Sequence, residues 1–315
     1  MSRSPPVSAC SKRAAAFPER MTHRCAVALM VLVTLLWSIA GVVARHLEAA
    51  QGFEVNFWRS AFNALALAIG LTLLRGSGLW SGLIHAPRIV WISGLCWAVM
   101  FTAFMLAITM TSVAMVLVTM AIGPMVTALF SRFFLRQDLP LRTWVAIVVA
   151  GLGIAWMFGA EAGNGGQLLG SLVACAVPLA AAVNWTLLQK TGQAAEAGPD
   201  MLPAVLIGAV LSAACTLPLA LPLQATAHDL GLLALLGVVQ LAIPCLLVVR
   251  LTRILPAPEI ALLALLEVIF GVAWAWLGAG EQPSASVLGG GGLVLMALMV
   301  NEILAMRQPP KGISL

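Results

Sequence analysis

Two charged residues lie inside long apolar segments of the sequence, where a charge is rare. Arg59 falls within the apolar run 54–74, and Glu267 falls near the middle of the run 257–278. A charge at membrane depth costs about 2.5–3.5 kcal/mol on insertion scales, so each side chain is expected to face a cavity or a partner. Such residues are candidates for recognising a substrate or an ion inside a membrane.

Arg59 is predicted to hold an anionic group of a substrate in the outer half of a pathway. Asn63 lies four residues further on, so both side chains share one helix face and favour a polar lining. Two simpler interpretations stay open because Arg59 lies near the end of its segment. In one it reaches the outer headgroups, and in the other it pairs with Glu54 or Glu48.

Glu267 is the deepest acid in the sequence. We expect it to bind a coupling proton or the ammonium group of a substrate, because intramembrane acids are functional by default. The alternative is a protonated carboxyl that hydrogen-bonds to a neighbouring helix and serves only packing.

Three tryptophans lie away from the headgroup levels and are predicted to line the same pathway: Trp37, Trp97 and Trp185. They would stack against a substrate ring, although a buried Trp more often only packs, with its N–H on a carbonyl. Asn184, beside Trp185, is also predicted to belong to this lining. The two halves of the chain resemble each other, as described below, and Asn184 lies at the position of the second half that corresponds to the Trp37 region of the first.

The dipeptide Gly123-Pro124 interrupts the apolar segment 111–132. Proline removes a backbone donor and kinks a helix, so the pair is predicted to form a hinge beside the site. A fixed kink that serves only packing is the alternative.

Other chemistries lack the residues that they need. An enzyme would require a nucleophile with a base, paired aspartates or metal ligands. The histidines and the aspartates instead fall in the tail, in connections or at the very start of a segment: His23, His46, His85, His228, Asp138, Asp200 and Asp229. The six cysteines form no CxxC pair, and the net charge of +5 comes with no basic stripe. We therefore predict no enzyme, no metal, no cofactor and no nucleic-acid partner.

Ten apolar segments carry these candidate residues. The sequence is 61% apolar and only 9% charged, against roughly 25% charged in soluble domains. Each segment is long enough to cross a bilayer as a helix. The predicted fold is an all-α integral membrane protein with ten transmembrane helices at 26–45, 54–74, 89–108, 111–132, 142–159, 168–189, 201–221, 229–249, 257–278 and 286–305.

The distribution of cations predicts the orientation of this bundle. If the segments alternate and the N-terminus is inside, 15 of the 17 Lys and Arg residues fall on the inner side. Of the 17 cations, only Arg45 lies in an outer connection, and Arg59 lies within a span. The positive-inside rule therefore predicts an inner (plasma) membrane protein with both termini in the cytoplasm.

The two halves of the chain resemble each other. Segment 115–140 aligns with 259–284, each with an apolar helix, a polar turn and a second helix rich in small residues. Five spans per repeat is an odd number, so the second copy enters the membrane from the opposite side. Inverted repeats allow a secondary transporter to exchange inward and outward openings around a site at the midplane.

The layout resembles the drug/metabolite transporter superfamily, specifically its EamA-type ten-helix members. The motifs are LLWSIAGVVAR (35–45), EVNFWRSAFNALAL (54–67) with the family's Arg at Arg59, Gly123-Pro124, and LLALLEVIFG (262–271) with the family's Glu at Glu267. Two departures are Val268 where the family often has Pro, and Arg136-Gln137 in place of a Gly-Glu turn.

The resemblance implies transport of small metabolites, amino acids or drugs without ATP. We expect a secondary-active exporter of small metabolites such as amino acids, coupled to protons, in the lipid bilayer. An uptake permease for a metabolite or vitamin, or a facilitator without proton coupling, stays open, as does the oligomeric state. The predicted organisation is a disordered tail (1–23), two EamA-like repeats (24–160 and 161–306) and a cytoplasmic tail (307–315).

Overall fold

The described part of the chain is built from helices and contains no strand. The computed structural model describes residues 22–76, 78–123, 125–127, 129–130, 140–161, 165–193, 199–255 and 257–306. Its helices are α1 (His23–Ala44), α2 (Gly52–Arg75), α3 (Gly78–Ile84), α4 (Arg88–Met110), α5 (Val113–Met120), α6 (Leu141–Glu161), α7 (Gly165–Gln193), α8 (Leu202–Ala220), α9 (Ala227–Leu235), α10 (Ile243–Leu251), α11 (Ala257–Ala279) and α12 (Ala285–Met306), with a π-helix at Leu236–Ala242 between α9 and α10.

Six helical segments are long and apolar enough to cross a membrane. They are His23–Ala44, Gly52–Arg75, Arg88–Met110, Leu168–Leu188, Leu202–Ala220 and the continuous segment Ala227–Leu251. Four shorter apolar helices accompany them: Val113–Thr127, Leu141–Gly153, Leu266–Ala279 and Ala285–Asn301. The chain is therefore a multi-pass membrane protein.

Hydroxyl side chains mark where several helices begin. Thr22 accepts a hydrogen bond from the backbone N–H of Cys25 at the start of α1, and Ser112 accepts one from Met115 at the start of α5. Thr226 and Asp229 form a reciprocal capping box at the start of α9. Each cap supplies an acceptor for N–H groups that have no partner within the helix.

Small residues let the long helices approach closely. α4 packs against both α7 and α8, and α2 also packs against α8. At the crossing of α4 and α8, a Cβ added to Gly208 would lie 2.4 Å from the Cβ of Trp97. A Cβ added to Gly94 would lie 2.5 Å from a methyl group of Ile207. Glycine is required at both positions because the backbones leave no room for a side chain.

The π-helix is pressed against α2 in the same way. A Cβ on Gly237 would lie 2.7 Å from the carbonyl oxygen of Arg59 and 2.8 Å from the backbone nitrogen of Asn63. π-helical turns inside α-helices are frequent at functional sites. This one directs Gln240 toward α1 and α2, as described below.

Acidic side chains tie connecting segments together at one end of the bundle. Asp229 accepts hydrogen bonds from the backbone N–H groups of residues 48, 49 and 50, and Glu54 accepts from those of residues 224 and 225. Arg45 pairs with Glu281 at 3.0 Å and donates to the carbonyl of Thr111 at 2.8 Å. Glu281 also accepts from the N–H of Val113 at 2.7 Å, so these contacts join α1, α5 and the connection between α11 and α12.

Candidate functional site

A cavity of about 150 Å³ lies in the interior of the bundle, between residues of both halves of the chain. Its walls are mainly apolar and aromatic, with a few polar groups. In an engineered protein, an apolar cavity of about 150 Å³ is large enough to bind benzene. The polar and charged side chains that line it are Arg59, Thr127, Gln240 and Glu267, and the aromatic ones are Trp37, Trp97, Phe101, Phe104 and Trp185.

Arg59 belongs to a buried polar face of α2. Asn56, Arg59, Ser60 and Asn63 are spaced three or four residues apart and are all at most 1% exposed. This spacing places them on one side of the helix, as predicted for Arg59 and Asn63. Asn56 and Ser60 hydrogen-bond to the hydroxyl of Ser212 in α8, at 3.0 and 2.9 Å.

The guanidinium group of Arg59 is held by neutral acceptors. Its Nε and Nη2 atoms both donate to Oε1 of Gln240, at 3.3 and 3.1 Å, and Nη1 donates to the carbonyl of Phe101 at 3.3 Å. The ring of Phe104 lies 5.6 Å from the guanidinium carbon, in a cation–π arrangement. Within the described residues, Arg59 forms no ion pair.

These contacts exclude both of the simpler interpretations of Arg59. The side chain is 1% exposed and points into the bundle, so it does not reach the headgroups. Glu54 is bound to the backbone at residues 224 and 225, and Glu48 lies 3.6 Å from His228. Neither acid pairs with Arg59.

Gln240 links three segments at the edge of the cavity. Its Oε1 accepts both hydrogen bonds from Arg59, and its Nε2 donates to the carbonyl oxygen of Trp37 at 3.2 Å. The π-helix therefore contacts α1 and α2 through a single buried amide. From sequence alone, Gln240 reads as a polar residue that only joins helices, and its place in the cavity was missed. The sequence feature that could have identified Gln240 as a cavity residue is its position within an apolar span.

Glu267 lies in the wall of the same cavity and is 8% exposed. It is close enough to Arg59 for the two side chains to interact electrostatically, but they form no ion pair. The cavity is thus lined by an acidic and a cationic side chain that form no ion pair with each other. In this arrangement, a ligand that carries both a negative and a positive group could bind Arg59 with one and Glu267 with the other.

Aromatic rings form much of the remaining wall. Trp97 packs edge-on against Trp185, with ring centroids 5.7 Å apart, and lies 5.4 Å from the ring of Phe101. Trp37 contributes from α1. The indole N–H of Trp97 is buried and has no hydrogen-bond partner among the described residues. The three tryptophans predicted from the sequence therefore converge on one cavity.

Two predicted asparagines do not line the cavity. Asn184 faces α4, where its Oδ1 accepts a hydrogen bond of 2.6 Å from the hydroxyl of Ser93. Asn63 is fully buried beside the π-helix, and neither its amide oxygen nor its nitrogen has a partner among the described residues. Of the predicted hinge, Gly123 lines the cavity, while Pro124 lies outside the described residues.

The described residues contain no group of three His, Cys, Asp or Glu side chains that could hold a metal ion. The polar groups of the cavity are instead suited to an organic solute, because a cation, an acid and aromatic faces recognise separate parts of one molecule.

Comparisons with known proteins agree with this description. Residues 24–159 match the EamA-like transporter family, which confirms the resemblance noted from the sequence. Two proteins called "Pseudopaline exporter CntI", from two strains of Pseudomonas aeruginosa, are each 24% identical over 275 residues, covering 86% of this chain and 93% of theirs. The crystal structure of another protein superposes with a TM-score of 0.64 at 18% identity, covering 91% of this chain and 99% of the other. It shows similarity of fold.

Proposed function

We propose that this chain, a membrane transporter of the EamA-like family, exports small amphipathic metabolites such as amino acids by secondary-active alternating access. The observation that carries the proposal is the cavity that Arg59 and Glu267 both line without forming an ion pair with each other. The relatives named as exporters support the direction of transport. The substrate is a small molecule, and no enzymatic step is involved.

The geometry favours a substrate with a carboxylate, an ammonium group and an apolar or aromatic body. The guanidinium of Arg59 has a planar fork of N–H donors that fits a carboxylate. The carboxylate of Glu267 would take up the ammonium group. The rings of Trp37, Trp97 and Trp185 offer faces and edges against which a side chain can pack. The proposed substrate-binding residues are these five, and the cavity volume of about 150 Å³ favours a small solute.

The proposed bundle has ten transmembrane helices in two inverted five-helix repeats, at 24–160 and 161–306. In this proposal the four shorter apolar helices also span the membrane, which together with the six long helices gives ten spans. Both termini would lie in the cytoplasm, and the protein would reside in the inner membrane. Support comes from the cavity itself: Trp37, Arg59 and Trp97 come from the first half, and Trp185 and Glu267 from the second. A relative movement of the halves would then expose the site to one side at a time.

Glu267 is proposed to couple transport to protons. A carboxylate in a largely apolar wall is costly when it is charged and unpaired, so proton or ammonium binding would neutralise it. Competition between a proton and the substrate ammonium for one acid would link efflux of the substrate to entry of a proton. Gly123 would allow the adjoining helix to bend during the movement.

Efflux from liposomes tests this proposal directly. Purified protein would be reconstituted with a mixed metabolite pool inside, and efflux would be followed by mass spectrometry with and without an inward proton gradient. We expect selective, gradient-stimulated efflux of zwitterionic compounds. The variant Gly70→Ala serves as a substitution control and should export as the unsubstituted protein does, because a methyl group at that position meets no atom within 4 Å. If folded protein releases nothing above empty liposomes, the proposed export function is wrong.

A further inference from the structure

We infer that Gln240 is an internal stand-in for the anionic group of the substrate, which occupies the Arg59 fork until a carboxylate displaces it. The inference rests on the proposed function for the identity of the displacing group. The stand-in itself follows from the contacts of Gln240 and can be tested without transport.

The first observation is which atoms of Arg59 are in use. Nε and Nη2 form the edge of a guanidinium that binds the two oxygens of a carboxylate side by side. Here both donate to one neutral oxygen, Oε1 of Gln240, at 3.3 and 3.1 Å. Charge-assisted bonds of this kind are usually about 2.7–2.9 Å long and roughly twice as strong as neutral ones. The fork is therefore filled, but by a weaker acceptor than a carboxylate.

The second observation is that the buried cation has no direct ion-pair partner in the described part of the chain. Arg59 is 1% exposed and forms no ion pair among the described residues. A buried cation that meets only neutral acceptors gains more from an incoming anion than a cation already paired. The cavity next to the fork provides the space from which such an anion would approach.

The third observation is that the backbone near Gln240 is packed tightly against α2, whereas its side chain is held by hydrogen bonds that an incoming ligand can replace. Gly237, three residues earlier, leaves no room between the π-helix and α2, with an added Cβ only 2.7 Å from the Arg59 carbonyl. An exchange of partners must therefore be made by the Gln240 side chain alone. Because Nε2 of the same amide donates to the carbonyl of Trp37 at 3.2 Å, turning the amide would break its hydrogen bonds to α1 and to Arg59 of α2 together.

Displacement of Gln240 would thus couple occupancy of the site to freedom of the helices. While the site is empty, the amide links the two halves of the chain at the edge of the cavity. When a substrate carboxylate takes the fork, that link opens, and the remaining contacts resist the movement less. This gives a physical reason for an empty site to stay closed and an occupied one to move.

Anion rescue of a shortened side chain tests the stand-in. Gln240→Ala leaves a gap at the fork that acetate can fill, and the full-length purified protein in detergent would be titrated with acetate while thermal unfolding is followed. We expect the melting temperature of Gln240→Ala to rise saturably, with a half-saturating acetate concentration at least about tenfold below that of the unsubstituted protein. Acetamide, which offers the same shape without charge, should have a smaller effect.

Two further variants set the limits of the test. Gln240→Glu supplies a permanent carboxylate to the fork, so we expect no saturable response to acetate. Asn56→Ala removes a different buried amide, on α2, that donates to Ser212 and does not line the cavity. This variant should respond to acetate as the unsubstituted protein does. If Gln240→Ala does not yield folded protein, Gln240→Ser replaces it.

Equal responses to acetate in Gln240→Ala, Asn56→Ala and the unsubstituted protein would overturn the inference, and so would a saturable response in Gln240→Glu. Acetate rescue together with a failure to export any zwitterion would keep the stand-in and reject the proposed substrate. The reverse pattern, export without rescue, would keep the proposed function and reject the stand-in.

Discussion

Replacing Arg59 and Gln240 together by methionine separates what the pair contributes to folding from what it contributes to binding. Methionine is unbranched and apolar and adapts to irregular gaps, so it fills much of the space of both side chains. In the native protein the guanidinium donates to Gln240 and to the Phe101 carbonyl, and it forms no ion pair among the described residues. The folded protein therefore buries a cation that has no direct ion-pair partner among the described residues.

The expected change in stability follows from two opposing terms. Burial of an ion costs several kcal/mol. Three hydrogen bonds from a charged donor return roughly 1.5–3 kcal/mol each, so the terms nearly cancel. We expect the free energy of unfolding of Arg59→Met/Gln240→Met to change by less than about 2 kcal/mol. Arg59→Met alone should be less stable than the double variant by about 1–3 kcal/mol, because Oε1 of Gln240 loses its donors.

Binding should respond very differently. Removing one partner of a buried charge pair costs about 2–5 kcal/mol, which corresponds to a loss in affinity for a carboxylate substrate of roughly 30-fold or more. The assay combines thermal unfolding in detergent with counterflow of a zwitterionic substrate in liposomes. A double variant that is about 4 kcal/mol less stable and yet retains counterflow would refute the reasoning, since Arg59 would then serve the fold rather than the substrate.

Three other changes test separate parts of the structure. Glu267→Gln should abolish the stimulation of efflux by an inward proton gradient, and stimulation that persists would remove Glu267 from coupling. Gly208→Ala should lower the free energy of unfolding by about 1–3 kcal/mol, because the added Cβ would clash with Trp97. Gly70→Ala is the control, since its methyl group meets open space and should be neutral or stabilising. Equal shifts in melting temperature would contradict the tight crossing of α4 and α8. Glu281→Ala should lower the melting temperature more than Arg45→Ala, because Glu281 also accepts a hydrogen bond from the N–H of Val113, the first residue of α5. A larger decrease for Arg45→Ala would argue that this hydrogen bond does not stabilise the start of α5.

The depth of a residue along its helix could be predicted from the sequence. Five residues that are predicted to line the pathway lie within apolar segments, and the structure brings all five to one cavity: Trp37, Arg59, Trp97, Trp185 and Glu267. Depth follows from counting residues at 1.5 Å each along an apolar run, which needs no knowledge of neighbouring helices.

The rotation of a helix about its axis could not be predicted in the same way. Asn184 adjoins Trp185 in the chain, but its side chain faces Ser93 of α4 rather than the cavity. Asn63 shares a helix face with Arg59 and yet lies against the π-helix. Which side of a helix meets a cavity depends on the crossing of several helices, and the crossings depend on close approaches such as that of Gly208 to Trp97.

The role of Gln240 also depended on a local irregularity that the sequence does not reveal. A π-helix at Leu236–Ala242 changes which direction each side chain takes relative to a regular α-helix. The apolar segment around it predicts only a continuous span. The short helix α3 (Gly78–Ile84) between two predicted spans was likewise not predicted.

The measurement that tests the account most directly is counterflow through a protein whose cavity has been filled. Ala264 lines the cavity, so Ala264→Phe should block entry of the substrate. Ala214→Phe, on an exposed face of α8, is the matched control. We predict that Ala264→Phe, folded and reconstituted, loses counterflow of zwitterionic substrates while Ala214→Phe keeps it. Equal counterflow in both variants would contradict the claim that substrates pass through this cavity.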